Sequence, residues 1–256
     1  MSPARRTIGV VGGMGPLATA DLYFRIVRAT PAAIDQDHLH VLIDSNPEIP
    51  DRTAAIEGRG PDPTPVLVAT ARRLVAAGAE VLVIPCSSAH AFLGEIRRAV
   101  SVPVLDIMEE VAAAAAALRP RPAALGLLAT TGTVRQRLYH TALGARGIDV
   151  KVPDPERQRV VSGAIAAVKA GDTGPEVRRR IREAAEVLVR SGAAAIVLGC
   201  TELPLILGPD DLSVPVLDGT EILARAAVRE GFGEYHSSRE RSQGSIGPAT
   251  GPVRRH

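Results

Sequence analysis

Short apolar runs alternate along this chain with longer segments of helical spacing. Runs rich in Val, Ile and Leu fall at 7–11, 40–44, 80–84 and 102–105, and again at 124–128, 147–152, 194–198 and 214–217. Their length, their β-branched content and the Gly, Pro and Asp residues that bound them predict buried strands. Between them, apolar residues recur at helical spacing over 17–29, 64–77, 89–99 and 107–118, then over 134–145, 155–170, 175–191 and 220–231. Such βαβ alternation predicts an α/β protein with parallel sheets. The segment 107–118 contains the run Ala112–Ala117, the residue type with the best helix propensity. Arg119-Pro120-Arg121-Pro122 ends it, because proline biases its neighbour towards extended backbone.

The pattern occurs twice. LVAAGAEVLVIPCSS (74–88) aligns without a gap on LVRSGAAAIVLGCTE (188–202), and SVPVLD at 101–106 recurs letter for letter at 213–218. The opening TIGVVGGMG has a weaker echo in AALGLLATTGT. Order-preserving similarity of this kind marks a duplicated supersecondary unit. The expected architecture is two similar Rossmann-like or flavodoxin-like lobes with parallel sheets, related by a pseudo-twofold duplication, with the active site in the cleft between them. The lobes are expected over 1–106 and 107–218, with the last helix, 219–233, returning to the first lobe. The segment 234–256, mixed in Ser, Gly, Pro and Arg, is expected to be a disordered tail. The stretch from Asp44 to Pro65, rich in Pro and Asp and without periodicity, is expected to be a loop at the mouth of the site.

Composition narrows the function. At 46% hydrophobic and 23% charged the chain is globular, and no apolar run approaches the roughly 18 residues of a membrane span. Net charge is only +2, and Arg residues after Gly233 account for it, so the folded part carries no basic footprint. Aromatics at 2% and no Trp leave no stacking platform for single-stranded nucleic acid. Two isolated cysteines without CxxC spacing exclude a disulfide framework and suit a reducing cytoplasm. Glycines and Pro16 interrupt the N-terminal apolar stretch that follows Arg5-Arg6, which argues against an export signal.

Those cysteines, Cys86 and Cys200, end equivalent strands of the two copies. Ligands of open α/β sheets collect beyond the carboxyl ends of strands. One cysteine there reads as a small core hydrophobe; a duplicated pair points to chemistry that needs one acid and one base on opposite sides of a carbon. Helical turns starting after Ser87 and Thr201 would lower the thiol pKa values. The Gly9–Pro16 segment lacks GxGxxG spacing, so its amides fit a carboxylate better than a dinucleotide. Only two of the 30 basic residues are lysines, Lys151 and Lys169. A lysine kept in such a chain suits a place for a compact ammonium, or is a plain helix-end cation. Arg52 in the Pro-rich loop reads either as a surface charge or as a carboxylate clamp. Cys86, His90 and Glu202 are too few and too mixed to define a metal site, and no metal is expected.

Together GGMGPLATAD (12–21), DQDH (35–38), SNPEIPDRT (45–53), PCSSAH (85–90), LLATTGT (127–133), VKAGD (168–172) and LGCTELP (198–204) resemble the aspartate/glutamate racemase family, in particular its aspartate racemase branch. The resemblance covers Thr7 to about Gly233. It implies a cofactor-independent amino-acid racemase in which Cys86 and Cys200 are catalytic. One thiolate would remove the α-proton and the opposite thiol would return one. It further implies substrate contacts from Ser87, Ser88, Thr130, Thr133 and Thr201, a side-chain carboxylate held by Arg52 and Lys169, and Met14 lining the pocket. Glu202, in CTE where glutamate racemases of cell-wall synthesis usually show CTH, is expected to tune Cys200. One departure stands out: Cys-Ser-Ser-Ala-His replaces the usual Cys-Asn-Thr-Ala-His, so Ser87 stands where the family has Asn. The resemblance implies a small acidic amino acid as ligand, a homodimer, and no nucleic-acid or membrane partner. Alternatives are a hydantoin racemase, arylmalonate decarboxylase or maleate isomerase relative, or a catalytically silent binder of an acidic metabolite.

Overall fold

A computed structural model describes residues 5–233; the tail discussed above lies outside the described residues. The first lobe runs β1 (Ile8–Gly12), α1 (Pro16–Ala29), β2 (Val41–Ser45), α2 (Arg52–Ile56), α3 (Thr64–Ala76), β3 (Val81–Val83), a 3₁₀ turn (Ser87–Phe92) and α4 (Leu93–Ala99). After α5 (Ile107–Ala117) come β4 (Ala124–Leu128), α6 (Thr131–Arg135), α7 (Leu138–Gly144), β5 (Asp149–Lys151), α8 (Pro155–Lys169) and α9 (Pro175–Arg190). β6 (Ile196–Leu198), β7 (Val216–Asp218) and α10 (Gly219–Gly231) complete the chain. The sheets have the orders β2-β1-β3 and β5-β4-β6-β7, with every strand pair parallel. In each, the chain steps to one side of the first strand and then crosses to the other. That reversal opens a crevice at the carboxyl ends of β1 and β3, and of β4 and β6.

The repeated SVPVLD segment does the same work twice. Leu82 N–H donates to Pro103 O at 2.8 Å and Ile196 N–H to Pro215 O at 2.9 Å, a sheet edge where proline's missing N–H costs nothing. Asp106 then caps α5 by accepting from Met108 N–H, and Asp218 caps α10 by accepting from Thr220 N–H.

Three expectations are corrected. The 102–105 run is not a strand but a single bridge, Leu82 to Val104, because only one ladder step forms at this edge. The 134–145 helix is two helices, α6 and α7, broken where Arg137 takes a left-handed φ of 52°. The 44–65 stretch is not structureless: Asp51 accepts from Ala54 N–H at 2.7 Å and so starts α2.

One apolar core joins both sheets, with Ile8 and Val10 of β1, Val111 of α5, Leu125 and Leu127 of β4, and Leu223 of α10. Helices α1, α10, α5 and α7 pack side by side through it. Fully burying each such Leu or Ile stabilises by roughly 1.5–3 kcal/mol. Arg25 of α1 bridges to Asp218 and Glu221 at the start of α10, at 2.7 and 3.3 Å. Separate clusters lie under α3 and α4 on the first sheet, and under α8 and α9 on the second. No described helix is long and apolar enough to cross a membrane.

Candidate active site

Each expected site residue follows a strand end or sits on a segment beside one. After β1, Thr19 folds the glycine-rich turn: its hydroxyl accepts from Gly13 N–H and donates to Gly15 O, both at 2.9 Å. Pro16 opens α1 at a position where its missing N–H is harmless. Met14 is held inside at 2% exposure. After β2, the short helix α2 carries Arg52 at its first position, buried at 6% exposure. Nη1 of Arg52 donates to Ile49 O and Pro50 O at 3.0 Å, and Nη2 reaches Met14 O at 3.4 Å. Its buried Nε has no partner among the described residues. The Nε and Nη2 side of this guanidinium is the fork that takes a carboxylate bidentately.

After β3, Cys86 precedes the 3₁₀ turn and its sulfur lies 3.5 Å from Ser88 Oγ. His90 is neutral and fully engaged: Nδ1 pairs with Cys86 O at 2.9 Å, and Nε2 accepts from Ile107 N–H at 3.3 Å. Burial drives its pKa down, consistent with that state. No group of three or more His, Cys, Asp or Glu side chains among the described residues could hold a metal ion. After β4, Thr130 caps α6, accepting from Thr133 N–H at 3.3 Å with the two hydroxyls 3.0 Å apart.

After β6 come Gly199, Cys200, Thr201 and Glu202, the last three nearly inaccessible. Cys200 S–H donates to Glu202 Oε2 at 2.9 Å, while Glu202 Oε1 accepts from Gly15 N–H at 3.0 Å. Thr201 Oγ1 donates to Pro85 O at 3.0 Å. The lowered thiol pKa expected for Cys200 is overturned. Burial first, and the Glu202 carboxylate second, push it well above the ordinary thiol value. Lys169 ends α8. Solvent reaches it, yet its neighbours crowd it enough that burial opposes its charge; Glu202, Cys200 and Cys86 outweigh this and raise its pKa.

Met14, Arg52, Lys169 and Glu202 converge on a cavity of about 420 Å³, with Gly15 and Ile49 beside them. Its size falls within the range of small-ligand sites. Cys86 and Cys200, each 5% exposed, are outside this lining, with Cys200 tied to it through Glu202. Nor do Ser87, Ser88, Thr130, Thr133 and Thr201 line the cavity, and each of their hydroxyls has a protein neighbour. Ser87 Oγ lies 3.1 Å from the hydroxyl of Tyr139, a residue the sequence reasoning missed. Scarcity was its one signal, since the chain has only three tyrosines. Glu57 was missed as well. It ion-pairs with Arg135 of α6 at 2.9 Å and so ties the segment just after α2 to the second lobe.

A protein-family profile described as Asp/Glu/Hydantoin racemase matches residues 11–227. Among curated relatives, the broad specificity amino-acid racemase RacX of Bacillus subtilis (strain 168) is 27% identical over 228 residues, covering 86% of this chain and 96% of that protein. Among solved structures, Picrophilus torridus aspartate racemase superposes with a TM-score of 0.79 at 30% identity, covering 89% of this chain and 94% of that one. PH1733, an aspartate racemase homologue from Pyrococcus horikoshii OT3, gives a TM-score of 0.70 at 26% identity, covering 88% and 99%.

Proposed function

This chain belongs to the Asp/Glu/Hydantoin racemase family, and from that premise we propose that it interconverts L- and D-aspartate, or glutamate, through two cysteines and without pyridoxal phosphate. The observation that carries the reaction type is the pair of thiols at equivalent strand ends of two matching sheets. Arg52 supports an acidic substrate: a buried guanidinium whose Nε has no protein partner among the described residues, beside Lys169 on the same cavity. A carboxylate bound there would supply the anion that the buried charge lacks.

In the proposed reaction, the Cys86 thiolate takes the α-proton from one face of the substrate. The C–H electrons pass into the adjacent carboxylate, and Cys200 S–H delivers its proton to the opposite face. The reverse direction exchanges the roles. Cys200 starts as the acid because its proton already sits between Sγ and Glu202. Once it has given that proton away, its thiolate faces a carboxylate, which favours rapid reprotonation; Lys169 moderates the repulsion. The substrate carboxylate must be held by preorganised donors for the carbanion to form at all. A homodimer in a cytoplasmic setting belongs to the same proposal. A second reading, a wider amino-acid range, is favoured by the similarity to a broad specificity racemase.

The test is proton NMR of the reduced protein in deuterated water with L-aspartate, L-glutamate and L-asparagine in separate tubes, followed by chiral analysis. Loss of the α-proton signal with formation of the D-enantiomer is expected for the acidic substrates, and absent in Cys86→Ser and Cys200→Ser. A single mutant fully active in both directions would sink the two-thiol mechanism. No exchange with any of the three amino acids would sink the aspartate/glutamate assignment.

A further inference from the structure

Both thiol-bearing loops are tied across the cleft as well as within their own lobes. Glu202 reaches Gly15 N–H, and Thr201 reaches Pro85 O, so the turn after Cys200 is fastened to the first lobe. In the opposite direction, Ser87, the residue after Cys86, meets Tyr139 of α7 in the second lobe.

Tyr139 is fully buried in the core that joins the sheets. Its ring presses on the residue before Cys200: a Cβ on Gly199 would stand 3.0 Å from Tyr139 Cε2 and 2.5 Å from Leu127 Cδ1. Only a residue without a side chain lets the ring lie there. Its hydroxyl also borders Gly219, where a Cβ would come within 3.5 Å. One rigid side chain therefore touches the backbone neighbour of Cys200 and hydrogen-bonds the side-chain neighbour of Cys86. Burial raises the phenol pKa further, so it stays a neutral hydrogen-bonding group across the working pH range.

We propose that Tyr139 is a positioning residue that sets the separation of the two thiols by pairing with Ser87, and that Ser87 serves this cross-lobe bond rather than the substrate. The hydroxyl at position 87 lies 3.1 Å from that of Tyr139, a long O–H···O contact, and Ser87 is absent from the cavity lining. Acid–base transfer between two opposed thiols depends on their spacing more than on substrate affinity, so loss of the pair falls on turnover. The kinetic part of this inference rests on the racemase reading; the bond itself does not.

The test compares wild type, Tyr139→Phe, Ser87→Ala and the double variant. Each single change is expected to lower kcat about 3- to 10-fold in both directions, as for loss of one neutral hydrogen bond, with KM within about 2-fold. The double variant is expected to fall no further than the singles, since both remove the same bond. Multiplying effects, or a Ser87→Ala change confined to KM, would overturn the proposal. Iodoacetamide labelling of Cys86, followed by peptide mass spectrometry without substrate, reads the bond independently of any turnover. There the two singles and the double are expected to speed labelling by one common factor. An unchanged rate in all three would overturn the proposal even in an active racemase. Equal labelling changes in a protein that turns over no amino acid would retain the bond while rejecting the racemase reading. If Tyr139→Phe fails to fold, Ser87→Ala alone carries both readouts.

Discussion

Replacing Arg52 by Met keeps a long, flexible side chain and removes the guanidinium. In the free protein this forfeits the bonds to Ile49 O, Pro50 O and Met14 O, and it removes a buried charge that has no carboxylate partner among the described residues. The opposing effects on stability make a small net change in Tm the expected control result. Substrate recognition has no such offset. Nε has no protein partner among the described residues and Nη2 is held only by a long bond to Met14 O, so this edge is the one assigned to a side-chain carboxylate, and at 6% exposure water screens it little. A hydrogen bond to a charged group contributes about 1.5–3 kcal/mol, which corresponds to about a 10- to 150-fold loss of kcat/KM for aspartate. Asparagine has the same shape without the charge and should lose far less. Arg52→Lys should fall between, because a point charge survives but the planar fork does not. Chiral chromatography of initial rates with both amino acids gives the ratio directly. An unchanged aspartate-to-asparagine preference in Arg52→Met would refute the assignment of this guanidinium to the substrate carboxylate.

Glu202→Gln should lower the pKa of Cys200, since the carboxylate is the second cause, after burial, of its elevation. In the direction where Cys200 donates, activity is lost as this thiol deprotonates, so the alkaline limb should move to lower pH; an unmoved limb would remove Glu202 from that role. Gly132→Ala should displace α2, because the new Cβ would lie 2.9 Å from Thr53 Oγ1 and 3.1 Å from its Cα. A raised KM for aspartate at nearly constant Tm is expected, and an unaltered KM would show that α2 need not sit there. Leu22→Ala, on the buried face of α1, should cost about 2–5 kcal/mol by denaturant titration without changing substrate preference.

Periodicity made most of the scaffold legible, because seven of the eight apolar runs became strands, of which β1, β3 and β6 are buried along their whole length. The eighth, 102–105, has the right residues but contributes a single bridge, and edge pairing depends on partners a sequence does not display. α2 was hidden because its five residues are too few to show a period, and Asp51 does the work of starting it. Arg137 gave no warning of the α6–α7 break, since the left-handed turn there uses no glycine. At the site, duplication exposed both cysteines. The direction of the Cys200 shift was misread because two effects invisible in the sequence outweigh the turn amides: burial of the sulfur first, and then the Glu202 side chain folding back onto it. Tyr139 is 52 residues from Ser87, and only the folded core brings them together.

The placement of α10 has a consequence for biosynthesis. Arg6 N–H donates to Gly231 O at 2.8 Å, Leu39 packs where Gly231 has no side chain, and Arg229 pairs with Glu110 at 2.6 Å. Every one of these contacts joins the end of the described chain to something synthesised much earlier. A ribosome that has released the first lobe has therefore made β1, α1 and α5 without the helix that covers them. Until α10 emerges, Ile8, Leu22 and Val111 keep part of their apolar surface in water, a window in which such a chain is open to aggregation. Completion of this core therefore waits until α10 has left the ribosome.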